Sequence, residues 1–503
     1  MKTATKISSL KILLTGVILS AFGACSSTQV VSEVKIVGEP KIAPRPFITT
    51  WKIDDTQDNH RIVIGTKGGG YNYSVEWGDG FSEHNITEST HHSYVEEGNY
   101  TVKISGKFPR LYNGDTCKQN PKIISIDQWG DNRWTSMKMA FYNSKMMVLK
   151  AKDAPDLSQV EDMSHMFGNA QVFDGNISHW DVSHVKYMRG MFEGTFAFNE
   201  DLSDWNVSSV MDMSYLFSAA ISFDGNISKW DVSNVQDMSW MFNKADMFNQ
   251  NLNDWNVSHV AAMTGMFSEA KSFNQPLDHW NVQNVRSVSS MFSLAVSFNQ
   301  NINNWKLKSV DNLNNMFYGA YAFNQPLDKW DLRNIYSVDS LFHGTKKFNQ
   351  DLSVWDVSNI EDFQSMFYEA TAFNQNINNW NMKNADKLGW MFRGATAFNQ
   401  PLDQWNVKYV QDLNSMFDQA SSFDQNLGAW NVENVHTMSD LFLGTALSTK
   451  NYDAILKGWS KQDLRIEVDF HAGSTKYSRE AKKAHDVLTN TFKWKMQDGG
   501  LVK

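Results

Sequence analysis

The 503-residue chain carries 46 Lys and Arg against 55 Asp and Glu, a formal charge of −9, and 42% of its residues are hydrophobic. Its 19 Trp and 32 Phe exclude a disordered chain, its two Cys exclude a disulfide scaffold, and a mean hydropathy of −0.45 excludes a polytopic membrane protein. An acidic balance also lacks the basic footprint of nucleic-acid recognition, so no nucleic-acid partner is expected.

At the N-terminus, Lys2, Lys6 and Lys11 precede the apolar run Ile12 to Leu19, and small residues follow up to Ala24-Cys25. A basic region, a short apolar stretch and small residues predict a secretory signal peptide over residues 1–24. Phe22-Gly23-Ala24-Cys25 resembles a bacterial lipobox, which implies lipidation of Cys25 and a membrane anchor there. Ser26 after the cysteine is similar to the sorting pattern for an outer membrane, which implies a lipid-anchored protein of the outer membrane or cell surface. Cys117 is then left without an intramolecular partner, and cleavage removes three lysines and no acid, taking the charge to −12. Residues 25–45 lack periodicity and read as a tether.

Residues 46–109 alternate with the two-residue period of strands, as in Arg61 to Ile64, Tyr71 to Trp77 and Tyr100 to Ile104. Trp77-Gly78-Asp79-Gly80, His92-Ser93-Tyr94 and Gly98-Asn99-Tyr100-Thr101-Val102 together resemble the signature of PKD-type domains, which implies an immunoglobulin-like β-sandwich acting as a spacer. Asp79 reads as a carboxylate capping turn amides. Asp54, Asp55 and Asp58 lack EF-hand spacing and read as a solvated loop in preference to a calcium site.

From Phe173 onward the sequence repeats every 25 residues without insertion or deletion. Trp180, Trp205, Trp230, Trp255, Trp280, Trp305, Trp330, Trp355, Trp380, Trp405 and Trp430 each follow a Phe by seven residues, and a second Phe column runs from 167 to 442. In the unit starting at Phe198, Leu202, Trp205 and Val207 suit a short strand, and Val210, Met213, Leu216 and Phe217 suit a helical or 3₁₀ return. The expected architecture is a mainly β/α, leucine-rich-repeat-like right-handed solenoid whose Trp column is a structural ladder inside the core. Asn and Gln after the first Phe, as in Asn274-Gln275, are expected to form amide ladders on turn backbone groups. The units resemble BspA-like bacterial surface proteins in the 25-residue variant. Residues 110–172 read as N-terminal capping coils, 173–447 as eleven repeats and 448–503 as a C-terminal cap. Tyr452, Ile455, Leu456 and Trp459 form an amphipathic helix behind Ser448, Ile466 to Phe470 a strand, and Ser478 to Thr491 a second helix.

Residues alternating with Trp and the following aliphatic are expected at the surface. The candidate binding face comprises Asp181, Asn206, Asp231, Asn256, Asn281, Lys306, Lys308, Asp331, Arg333, Asp356 and Asn381, basic only around Lys306, Lys308 and Arg333. No catalytic or metal-binding motif accompanies it, and no cofactor is implied. The expected function is non-enzymatic: a monomeric, lipid-anchored ectodomain binding a protein or matrix partner. Adhesion to surface glycans is the alternative.

Overall fold

The computed structural model describes residues 43–54, 60–114 and 122–503. Cys25, Asp55, Asp58 and Cys117, together with the expected leader and most of the tether, lie outside the described residues. The first elements obey the alternation of the sequence. β1 (Phe47–Ile53) buries Phe47, Thr49, Trp51 and Ile53 on one face. β2 (Arg61–Ile64), β3 (Asn72–Glu76), β4 (Ser82–Ile86), β5 (Thr90–Ser93) and β6 (Gly98–Lys107) follow. β6 lies between β1 and β3, β3 pairs with β4, and β2 and β5 form a separate antiparallel pair. The second edge of β1 is taken by β7 (Ile123–Gln128), which continues in parallel with β8 (Val148–Leu149). One six-stranded sheet, ordered β4-β3-β6-β1-β7-β8, therefore runs across residue 109 and on toward the repeats.

The repeats depart from expectation. Between β8 and α1 (Thr449–Trp459) the described chain contains neither a strand nor a helix. The regular structure is mostly sheet with two short α-helices, both near the C-terminal end, and this overturns the mainly β/α, leucine-rich-repeat-like solenoid. Each unit is instead a succession of three-residue turns. In the unit from Phe198, the amides of Trp205, Val210, Leu216 and Ala220 donate to the carbonyls of Leu202, Val207, Met213 and Phe217 at 2.9–3.1 Å. The residues at the turn ends point inward and are buried, which is why the apolar positions recur at intervals of three.

In this unit two causes prevent the turns from winding into a helix. Asp212 accepts the Ser214 amide on its carboxylate at 2.8 Å, an Asx turn that competes with helical pairing. Tyr215 and Ala219 then adopt left-handed backbone conformations, with φ of 59° and 55°, and the same two positions do so through the array. Such a residue costs roughly 1–2 kcal/mol when it carries a Cβ. The cost is offset between units: Met213, Tyr215, Phe217 and Ala219 donate to Asp237, Ser239, Met241 and Asn243 of the next unit at 2.6–3.0 Å. Alternate amides aimed out of the unit are not available for a helical ladder. Single parallel bridges, Asp162 to Tyr187, Tyr187 to Asp212 and Asp212 to Asp237, mark the same seam.

At the C-terminal end, α1 begins at Ser448, whose hydroxyl accepts the Asn451 amide at 3.3 Å, and it buries Tyr452, Ile455, Leu456 and Trp459. The strand expected over 466–470 is shifted to β9 (Asp469–His471), which lies parallel to β10 (Lys495–Gln497). The second expected helix is divided into α2 (Lys482–Asp486) and a π-helical turn, Val487–Thr491. No helix among the described residues is long and apolar enough to cross a membrane.

Candidate functional site

The eleven Trp rings of the ladder are 0–4% exposed, so none offers a face to a sugar or a base. From Trp205 to Trp430, each indole N–H donates to the carbonyl of the Leu or Ile 28 residues earlier, at 2.8–3.2 Å. Trp180, the first, meets Trp129 edge-on at 5.4 Å. A second ladder uses amides: the Asn274 N–H donates to Asn249 Oδ1 at 2.9 Å, and Asn299 repeats this on Asn274. Gln300 adds a bond from Nε2 to the Asn274 carbonyl at 2.9 Å. The cap extends both ladders, with Trp459 donating to the Leu427 carbonyl and the Ser448 amide to Asp424.

The polar column next to each Trp has a double role. Its side chains are exposed, but Asp181, Asn206, Asp231, Asn256, Asn281, Asp331, Asp356 and Asn381 each accept the backbone N–H two residues on, at 3.0–3.3 Å. Hydrogen bonds from Ser183, Ser233 and Ser358 hold Asp181, Asp231 and Asp356 below the usual carboxylate range. These residues first close a turn and only then present a remaining polar atom to solvent.

Lys306 breaks the pattern. Its side chain has no oxygen with which to accept the Lys308 amide, and the following turn is slack. The Val310 amide stands 3.4 Å from the Leu307 carbonyl, against 2.9–3.1 Å for the equivalent bond in ten other units. Around this point lies a groove of about 390 Å³ lined by Lys306, Leu307, Lys308, Lys329, Asp331, Arg333 and Asn334. Arg333 grips Asp331 through Nε and Nη2, at 2.8 and 2.5 Å. This hydrogen bonding holds the Asp331 carboxyl down to about 2, with Lys306 adding a smaller pull. Among the described residues the ammonium groups of Lys306, Lys308 and Lys329 make no hydrogen bond or ion pair. Several other cations of the stack are neutralised one unit away, as Lys186 is by Glu161, Lys271 by Asp246 and Lys387 by Asp362.

Of the expected binding-face residues, the structure brings Lys306, Lys308, Asp331 and Arg333 together, and adds Lys329 and Asn334 from the following unit. The remaining seven lie outside the groove lining. Asp79 accepts the Phe81 amide at 3.0 Å and meets His92 at 2.7 Å, a turn cap. Among the described residues no group of three or more His, Cys, Asp and Glu is placed to hold a metal ion.

One surface feature escapes the sequence reading. His343 stacks on Tyr368 at 4.3 Å and meets Tyr318 in a tilted contact at 4.4 Å, and Arg393 donates to the Tyr368 hydroxyl and to Asp418, each at 2.7 Å. Burial pushes the His343 imidazole below its ordinary value. The signal was the residue directly after each member of the second Phe column, spaced by 25.

A turn-built tandem-repeat protein with an exposed polar face is the class these features define. The chain belongs to the family described as "Mycoplasma protein of unknown function, DUF285", whose sequence pattern matches in five overlapping stretches, residues 135–255, 222–330, 249–355, 295–399 and 337–459. A search of curated proteins finds no match.

Proposed function

We propose that this chain is a non-enzymatic binding scaffold, held to a membrane by lipid on Cys25, whose stacked repeats present their polar face to a protein partner. The observation that carries the reading is the groove at Lys306, Lys308, Lys329 and Arg333, where the turn-closing pattern is given up and three lysines carry no hydrogen bond or ion pair among the described residues while Arg333 is held by Asp331. Local departures of this kind, inside an array whose core positions are otherwise fixed, are where repeat proteins accommodate binding. Kinship with BspA-like surface proteins, a PKD-like spacer and a cell-surface location belong to the same proposal and rest on the sequence motifs.

Purified chain is tested against defined panels of proteins and of surface glycans. Saturable protein binding that is weakened at least tenfold by Lys306→Glu, Lys308→Glu and Arg333→Glu together supports the reading. Binding confined to glycans favours adhesion to carbohydrate, and binding unchanged by the triple variant removes the groove from the interface. For the anchor, Cys25→Ser is expected to move the protein from the membrane fraction to the soluble one.

A further inference from the structure

The groove's charge is local. Lys306 and Lys308 come from one unit and Lys329 and Arg333 from the next, with the buried Leu307 between the first two. Within the lining, Asp331 offsets Arg333, and on the C-terminal side Asp356 limits the positive field. On the other side the equivalent positions are the neutral Asn281 and Gln283. A field confined to two adjacent units suits one anionic group and not a run of charges.

The kind of cation narrows the chemistry. Arg is the planar fork that grips carboxylate or phosphate in two-point fashion, and here that fork is already closed on Asp331, which leaves the point-charge binding that lysine offers a phosphate. What remains free are three lysines, compact point charges with rotatable donors, which approach an anion from several directions. Three lysines lining one groove, each a point charge free to turn its donors, suit the oxygens of a tetrahedral centre better than the plane of a carboxylate. We propose that this groove seats a tetrahedral oxyanion, a sulfate or phosphate ester carried by the ligand. The inference rests on the reading of this face as a docking surface.

Calorimetric titration of the full chain with inorganic phosphate, sodium sulfate and sodium acetate, at matched ionic strength, tests it. Phosphate or sulfate is expected to bind with one-to-one stoichiometry and acetate at least tenfold more weakly. Lys308→Gln with Lys329→Gln is expected to weaken the oxyanion at least tenfold. Lys306→Asn, which restores the residue type of the other units and so preserves the turn, is expected to weaken it as well. Glucose 6-phosphate and glucose 6-sulfate then distinguish the two esters. Equal binding of acetate, no binding of either oxyanion, or full binding by the lysine variants overturns the proposal. Repeating the protein panel with the lysine variants keeps the two failures apart. A partner bound without any oxyanion site leaves the docking face standing and removes the oxyanion. An oxyanion bound with no macromolecular partner does the reverse.

Discussion

Lys306 stands where the ten other repeats carry Asp or Asn, and the cost of that exchange is written in the turn it fails to close. Restoring the acceptor with Lys306→Asn supplies one side-chain to backbone hydrogen bond, and a net gain of about 0.5–1.5 kcal/mol is expected. The urea midpoint of the variant checks it. Asp331 makes a second prediction at this scale. Its carboxyl is held at about 2 by Arg333, below the roughly 3.9 of an unfolded chain. A depressed carboxyl contributes stability above the unfolded value and loses that contribution as pH falls toward the folded one, here between about 4 and about 2. Both partners are more than half exposed, so solvent screening keeps the energy small. The clear readout is therefore titration itself: in Arg333→Gln, carbon-detected NMR should show the Asp331 carboxyl moving up toward its ordinary value.

The turn is the element that defines each repeat, and its left-handed positions carry very different residues. Gly194, Gly319, Gly344, Gly394 and Gly444 share a column with Ala219, Lys244, Glu269 and Leu294, all at positive φ. At Ser290, φ is 57°, and Ser290→Gly is expected to stabilise by about 1 kcal/mol through relief of the left-handed backbone. The reverse change, Gly344→Ala, adds a Cβ that meets nothing closer than 3.6 Å, so its expected loss of about 1–2 kcal/mol is backbone strain and not collision. Thermal unfolding of both variants measures the pair. These positions also explain what could be read from the sequence. The buried columns were legible because the Trp column and both Phe columns repeat unbroken at 25 residues. The turn was not, because L-x-x-W-x-V satisfies strand alternation and three-residue turns equally, and the left-handed column mixes Gly with Leu, Glu and Lys. The choice between them is made by hydrogen bonds to the next unit, which local spacing does not encode. For the groove, Lys306, Lys308 and Arg333 were visible as a break in composition. Lys329 occupies another column, and only stacking brings it alongside.

Across the whole molecule, backbone, indole and amide ladders all connect residues in adjacent units at fixed offsets, so the array tolerates change only in whole units. Removing residues 274–298, one full period, keeps every remaining offset and is expected to leave a folded chain with a single cooperative transition. Removing residues 274–297 displaces each downstream donor by one position and turns the Trp column out of register. That variant is expected to lose cooperativity, and circular dichroism melts of the two deletions make the comparison.

The Trp column has an optical consequence. Indoles such as Trp205 and Trp230, Trp280 and Trp305, and Trp380 and Trp405 lie 6.3–6.4 Å apart with planes within 4° of parallel. At that separation an excited ring passes its energy to its neighbour far faster than it emits. Because the ring planes are nearly parallel, each hop keeps the transition dipole in nearly the same plane. Light absorbed anywhere along the column can therefore travel several units and still leave polarised, so emission anisotropy becomes an internal gauge of how many repeats remain in line.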